Sequence, residues 1–528
     1  METVKIPVQE WTRLQEDNTH LRLQLEQSRQ SLDWFKRQLF GEKSERFIAQ
    51  HPDQQELFVS PKTDEANVIT EKVQTHSRRR KQKITNQTHD TGLRFDEDVP
   101  RNIIDILPDA LQGDDAGLYE IVSYKETHRL AQQVGAYRII TYRRPVYRLK
   151  PTATKESQTD GDINTSLITT PAPENVLDGC YADVSLLAGM MVDKGVYHLP
   201  LHRQHQRLVD SGIMVSRATL LNWMSQSIEL LKPIYQALYD DIFRSRLLAI
   251  DEVPMKVGLK SKGKMNQSYF WPIFGENDQV IFTWSPSRGE QHAYQHLKNF
   301  NGALITDGYQ AYTRVLNRIN VNETRIVHAQ CWAHSRRYFE KAQKMEPELA
   351  AQALRIIQSL YKQESIIRDL ALEGDDKKSH RQKHAKPIVD EFFKWTKEQR
   401  EKPELLPSNP LSKALQYVMA RETELQVFLE QPDVPLDTNH LERALRVIPM
   451  GRKNYLFCWK ELGAKHMAIL QSLLVTCKLH QINPYHYLLD VLQRISIQPA
   501  SKVHDLIPRI WKEKFAEERL KSDIEKDS

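Results

Sequence analysis

The sequence predicts a multidomain α+β protein, on three observations. A heptad seam opens the chain, β-prone runs and then a helical stretch follow, and the second half alternates short apolar strands with helices. At 528 residues the chain is too long for one core, and its length favours three or four units. A hydrophobic fraction of 40% with 27% charged residues fits a water-soluble protein with a somewhat polar surface. The net charge of +5 and a pI near 8.7 lean mildly towards polyanionic partners. Four cysteines, Cys180, Cys331, Cys458 and Cys477, form no CxxC pair, which argues against a disulfide framework and against a four-cysteine zinc site. No basic-then-apolar leader opens the chain and no long apolar run interrupts it. A soluble, cytoplasmic protein with no membrane partner is expected.

Each element follows in order. Leu14, Asn18, Leu21, Leu25, Ser28, Leu32, Phe35 and Leu39 alternate spacings of four and three, a heptad seam across residues 11–40 with polar breaks at Asn18 and Ser28. The segment 1–47 reads as a coiled-coil helix that makes a homo-oligomer, against the plainer reading of an amphipathic helix packed on its own domain. Residues 48–92 are polar and end in Arg78, Arg79, Arg80 and Lys81. They read as a disordered basic linker, either a solvated charge run or an arm that contacts DNA phosphates. Residues 93–170 hold β-prone runs such as Tyr137–Tyr142 and predict a small β-rich module without cysteine. Residues 180–240 read as helical. There Leu201–Leu208, a turn at Gly212 and a second helix capped by Ser216, with Arg217 in its first turn, fit a helix-turn-helix as well as any tightly turned helical pair.

The second half carries the chemistry. Leu247–Ile250 is a short apolar strand running into Asp251 and Glu252. Strands at 268–274 and 280–284 flank the hairpin turn Gly275-Glu276-Asn277-Asp278, a helix spans about 292–300, and strands at 303–309 and 325–330 follow. The order β-β-β-α-β-α-β is that of a ribonuclease-H-like domain, predicted over 245–345 and 432–460 around a helical insertion at 346–431, with a helical region at 461–528. That topology sets Asp251 beside Asp307, which is 56 positions on (307 − 251). A third acid, Glu442, lies on a helix with Arg443 and Arg446, ahead of Arg452 and Lys453. Three carboxylates suit a site for Mg²⁺ or Mn²⁺, with two ions for phosphodiester chemistry. Taken singly each acid has a plain reading, a turn aspartate or a Glu442–Arg446 ion pair four residues apart; their joint placement favours the metal site. Glu252 is expected on the opposite face of its strand from Asp251. Cys331 and His334 resemble half a zinc site with no second pair in reach, so a structural role beside the acids is expected and zinc is not.

These motifs resemble the DDE transposases of the insertion sequence 66 family. The resemblance lies in LLAIDEVP around Asp251, LITDGYQAY around Asp307, CWAHSRRYF from Cys331 and LERALRVIPMGRKNYLF around Glu442. It extends to LFGEKSERF near residue 39 and to the run from His198 to Met224. It implies a bacterial enzyme that binds the terminal inverted repeats of its element, cuts there and joins the ends to target DNA using divalent metal. Asp251, Asp307 and Glu442 match its metal-binding triad. Arg452 and Lys453 are motif neighbours, and their charge suggests DNA contact alongside Arg443 and Arg446. Accessory proteins of the same element are implied as partners. The chain departs from the family in lacking cysteines where a zinc module is usual. A ribonuclease-H-like nuclease without strand transfer, or a catalytically silent transposase-derived DNA-binding protein, would share most of these features.

Overall fold

The computed structural model describes residues 94–95, 99–107, 119–133, 136–149, 167–261, 264–321, 325–402 and 405–526. The heptad seam at 11–40 and the cluster Arg78, Arg79, Arg80 and Lys81 lie outside the described residues.

Two short strands, β1 (Arg94–Phe95) and β2 (Arg101–Asp105), precede a long hairpin of β3 (Tyr119–Gln133) and β4 (Ala136–Leu149). β2 pairs parallel with β4 and β3 antiparallel with it, a three-stranded sheet in the β-rich region. The hairpin docks on the rest of the protein through backbone bonds at Leu130 and through the Tyr142 hydroxyl, which donates to Asp523 at 2.5 Å.

The helical pair forms as Leu201–Asp210 and Arg217–Leu230. Gly212 turns the chain with φ +76°, and β5 (Ile213–Met214) pairs with β1. The Ser216 hydroxyl caps the second helix by accepting from the Thr219 amide at 3.0 Å.

A six-stranded sheet forms the centre, and its strands follow from apolar runs. They are β6 (Leu247–Ile250), β7 (Val253–Ser261), β8 (Lys264–Gly275), β9 (Gln279–Ser285), β10 (Gly302–Thr306) and β11 (Ile326–Gln330). β9 pairs with β8 all along Tyr269–Gly275. β6 at Ile273 and Phe274, and β7 at Lys264–Phe270, therefore share the other edge of β8, end to end. β10 and β11 extend the sheet beyond β6, both parallel to it. The three-residue β8–β9 turn, closed by the Gly275–Gln279 pair, carries Asn277 and Asp278 at φ +63° and +51°, a backbone that Asn and Asp tolerate better than most residues.

The sheet is buried on both faces, and alternation separates two cores. Leu248, Ile250, Ile273 and Leu304 enter one; Ala249, Phe274 and Ile305 enter the other. Truncating any of the larger ones to Ala would cost about 2–5 kcal/mol. The Glu461–Leu479 helix covers the outer edge at β9. Its Ser472 hydroxyl accepts from the Phe282 amide at 2.8 Å, and Thr476 meets both polar groups of Val280. These bonds satisfy an edge strand that would otherwise invite pairing with another chain.

After β11 come helices Trp332–Ala342, Pro347–Asp369, Lys386–Arg400, Pro410–Met419 and Glu422–Glu430. Arg381, fully buried, ties this insertion shut. Its guanidinium donates to both Glu364 carboxylate oxygens at 2.8 Å and to the carbonyls of Phe428 and Val434 at 2.7 and 3.0 Å. No helix among the described residues is long and apolar enough to cross a membrane.

Candidate functional site

The site forms where the parallel strands end. β6 and β10 pair as Leu247↔Ala303, Leu248↔Leu304 and Ala249↔Ile305, an offset of 56 residues throughout. Carrying that register two positions further matches Asp251 with Asp307, on the face of Ala249 and Ile305. The β10–β11 register, Thr306↔Gln330, sets Cys331 next in the same row.

Three carboxylates meet here. Asp251, Glu252 and Asp307 each offer an oxygen, all within 4.8 Å of one another. Burial first, then the neighbouring Asp307 and Glu252 charges, pushes the Asp251 carboxyl up to about 7. Glu252 is raised as well, by burial and then by Asp307. The Asp307 carboxylate accepts the Tyr309 amide at 2.9 Å, which fixes the turn after β10.

Glu252 leaves the strand towards the other core, where the buried Tyr312 hydroxyl donates to it at 2.7 Å. Its remaining oxygen takes the Arg288 guanidinium. Arg288 also lies 3.8 Å from Asp307 and stacks 3.7 Å over the Tyr309 ring. One cation is thus shared by two acids, which lowers their mutual repulsion. Neither Arg288 nor Tyr312 carries a sequence signal, because each reaches the acids from a separate helix or loop. The extended segment β7 also escaped the sequence reading, since Pro254, Gly258 and its lysines mask the strand pattern.

Glu442 comes back to the same end of the sheet by another route. The buried Cys331 thiol accepts from both the amide and the hydroxyl of Thr438, at 3.3 and 3.2 Å. The Trp332 amide donates to Leu436 at 3.1 Å. Together they fasten the chain at the start of the Asn439–Leu445 helix, which carries Glu442 in its first turn. Glu442 does not join the 4.8 Å group. Its carboxylate pairs with Arg337 and lies 3.7 Å from His334 Nε2. Burial holds the His334 imidazole below its usual range, partly offset by Asp307. Glu442 Oε1 is buried and accepts no hydrogen bond.

Buried, mutually repelling carboxylates and an unpartnered carboxylate oxygen are hard donors suited to a divalent cation of the Mg²⁺ class. These residues fit such an ion. Among the cations read from sequence, Arg217, Arg443, Arg446 and Lys453 are exposed. Arg452 is half-buried and donates to the Pro254 carbonyl at 2.7 Å, three residues along the chain from Asp251.

The uncharacterized protein y4jD of Sinorhizobium fredii is 30% identical over 355 residues, covering 65% of this chain and 68% of that protein. The uncharacterized protein y4qI of the same organism is 27% identical over 424 residues, covering 77% and 75%. The description "Transposase C of IS166 homeodomain" matches residues 27–104, and "IS66 C-terminal element" matches 472–509. "Transposase IS66 family" matches residues 179–466, more than half of the chain and all four acids of the site, and the protein belongs to that family.

Proposed function

We propose that this protein cuts and joins DNA at the ends of its mobile element, with Asp251, Asp307 and Glu442 as divalent-metal ligands in a ribonuclease-H-like domain. The observation that carries this reading is the matched register of Asp251 and Asp307 at the ends of parallel strands. The strand arrangement supports the domain assignment, with three antiparallel segments followed by two parallel strands on the far side of β6.

Bound Mg²⁺ or Mn²⁺, as a pair of ions, would activate the attacking hydroxyl and stabilise the leaving oxygen of the phosphodiester. The chain itself holds the carboxylates in place. Arg288 restrains Asp307, Cys331 anchors the turn that leads to Glu442, and His334 faces the Glu442 oxygen left without a hydrogen bond. Arg217, Arg443, Arg446, Arg452 and Lys453 are assigned to the DNA backbone, with Arg78, Arg79, Arg80 and Lys81 as an arm. Residues 11–40 are assigned to homo-oligomer contacts, and accessory proteins of the same element to partnership, in the bacterial cytoplasm.

A second reading puts Glu252 in the place of Glu442, because Glu252 belongs to the 4.8 Å cluster. Against it, Arg288 and Tyr312 already occupy the Glu252 oxygens.

The test supplies purified protein with Mn²⁺ and DNA carrying the repeats that flank its gene. Joined products support transposition. Hydrolysis alone makes the protein a nuclease, and binding without cutting makes it catalytically silent.

A further inference from the structure

The segment after Arg452 runs along β7, and two of its apolar residues, Leu456 and Trp459, are exposed. The Val447–Tyr455 helix ends at Leu456, whose backbone has φ +63° and ψ −49°. The Phe457 amide closes on the Tyr455 carbonyl at 2.7 Å, so Leu456 is the middle of a γ-turn of positive φ, a strained form. A branched side chain in such a turn costs energy without visible return inside the fold, because Leu456 is 62% exposed. Three residues later Trp459 is 59% exposed, with its ring centre 5.7 Å from that of Phe457.

The strand edge holds this pair rigidly. The Cys458 amide donates to the Lys256 carbonyl and the Gly258 amide to the Cys458 carbonyl, both at 3.0 Å. The Arg452 guanidinium donates to the Pro254 carbonyl, which ties the start of the segment to β7 three residues after Asp251. Lys453 and Lys460 on the same stretch of chain, and Lys256 on the strand it pairs with, are exposed and make no ion pair with the described residues. An exposed indole and leucine on a segment with exposed lysines complement a strand of nucleic acid, whose bases offer flat faces and whose phosphates offer negative charge.

We propose that Leu456 and Trp459 form a stacking shelf for a base unpaired from DNA that runs out from the acid cluster along β7, with Lys256, Lys453 and Lys460 taking the flanking phosphates. The inference rests on the proposed function, since it needs DNA at Asp251 and Asp307. It adds a reason for the strained turn: Leu456 is held outward so that a base can close over it. It also predicts a preference for DNA that opens easily next to the cut.

The full-length protein tests it, with a short oligothymidylate as the probe of unpaired bases and a blunt duplex as the control. Trp459→Ala is expected to weaken oligothymidylate binding about ten-fold, while Trp459→Phe keeps most of it and duplex binding changes little. Lys256→Ala with Lys453→Ala is expected to flatten the salt dependence for both probes. A duplex with 2-aminopurine near the element end should brighten with wild type and stay dim with Trp459→Ala. Equal oligothymidylate affinity for wild type and Trp459→Ala overturns the proposal. So does a change of sedimenting mass in Trp459→Ala without loss of DNA binding, which makes the patch a contact between copies. If wild type cuts DNA with Mn²⁺ and only these outcomes appear, the shelf falls and the proposed function stands. If wild type neither binds nor cuts DNA, both fall.

Discussion

Asp251 and Asp307 stand at matching heights on neighbouring parallel strands, two residues past the Ala249–Ile305 pair. Their separation along the chain equals the strand register, so the acids are set side by side by the sheet itself. Asp251→Asn and Asp307→Asn should each leave the fold intact and remove the stabilisation given by Mn²⁺. For wild type that gain is about 2.7 kcal/mol when the ion is at roughly a hundred times its Kd. Melting curves with and without Mn²⁺ check this, and an Asp307→Asn variant that kept the full shift would contradict it.

Glu442 and Glu252 make opposite forecasts for strand transfer. With Glu442 as the third ligand, Glu442→Gln should lower the rate by at least about a hundred-fold. Glu252→Gln should mainly lower stability, by roughly 1–3 kcal/mol, because it weakens the bonds to Arg288 and Tyr312. Rates and urea midpoints measured on both variants separate the two readings. A reversed pattern assigns the ligand to Glu252.

The acid cluster ties stability to pH. Burial, then Asp307 and Glu252, raises the Asp251 carboxyl to about 7, so the folded protein keeps a proton that the unfolded chain, with a carboxyl pKa of about 4, has released. That contribution is complete below the unfolded pKa and is lost as pH rises towards 7. Without divalent ions the protein should therefore be less stable at about pH 8 than at about pH 5, by an amount on the order of a few kcal/mol. Asp251→Asn should flatten the difference, and added Mn²⁺ should shrink it. Melting temperatures across that range provide the check.

Arg381 fixes the geometry of the insertion far from the acids. Arg381→Leu strips the half-buried carboxylate of Glu364 of its buried partner and leaves the carbonyls of Phe428 and Val434 without that donor. A loss of about 3–5 kcal/mol is expected. A change below about 1 kcal/mol in chemical denaturation would show that Arg381 is not the pin of this unit.

The thiol of Cys331 does similar work nearer the site. Cys331→Ala removes both acceptor contacts to Thr438 and should cost about 1–2 kcal/mol. It should also slow strand transfer more than it weakens DNA binding, because Thr438 begins the turn to Glu442. Equal losses in both would reduce Cys331 to a packing residue.

Much of the centre was legible in sequence for a physical reason. Leu247–Ile250, Gly302–Thr306 and Ile326–Gln330 are short apolar runs because they are buried on both faces, and each has a turn or cap nearby. The turn at Asn277–Asp278 was visible because few residues accept its backbone. The partners of the acids were not visible. Arg337 meets Glu442 across 105 positions, and Arg288 meets Glu252 across 36, so nothing local marks either contact. The long strand Tyr119–Gln133 was covered only by the general expectation of a β-rich module, since its sequence (YEIVSYKETHRLAQQ) is polar and its first half is exposed on both faces. Glu252 was expected on the face opposite Asp251. Its bond to Tyr312 follows that expectation, while its carboxylate still comes within reach of both aspartates.

The insertion between β11 and Glu442 has a consequence in time. Asp251 and Asp307 emerge from the ribosome first, and Glu442 follows 135 residues after Asp307 (442 − 307). At about 5–20 residues per second, that gap lasts roughly 7–27 s. On the proposed assignment, a nascent or prematurely ended chain holds two acids of the triad and lacks the third. On that assignment only a chain translated past the insertion would cut, and unfinished copies would spare the host's DNA.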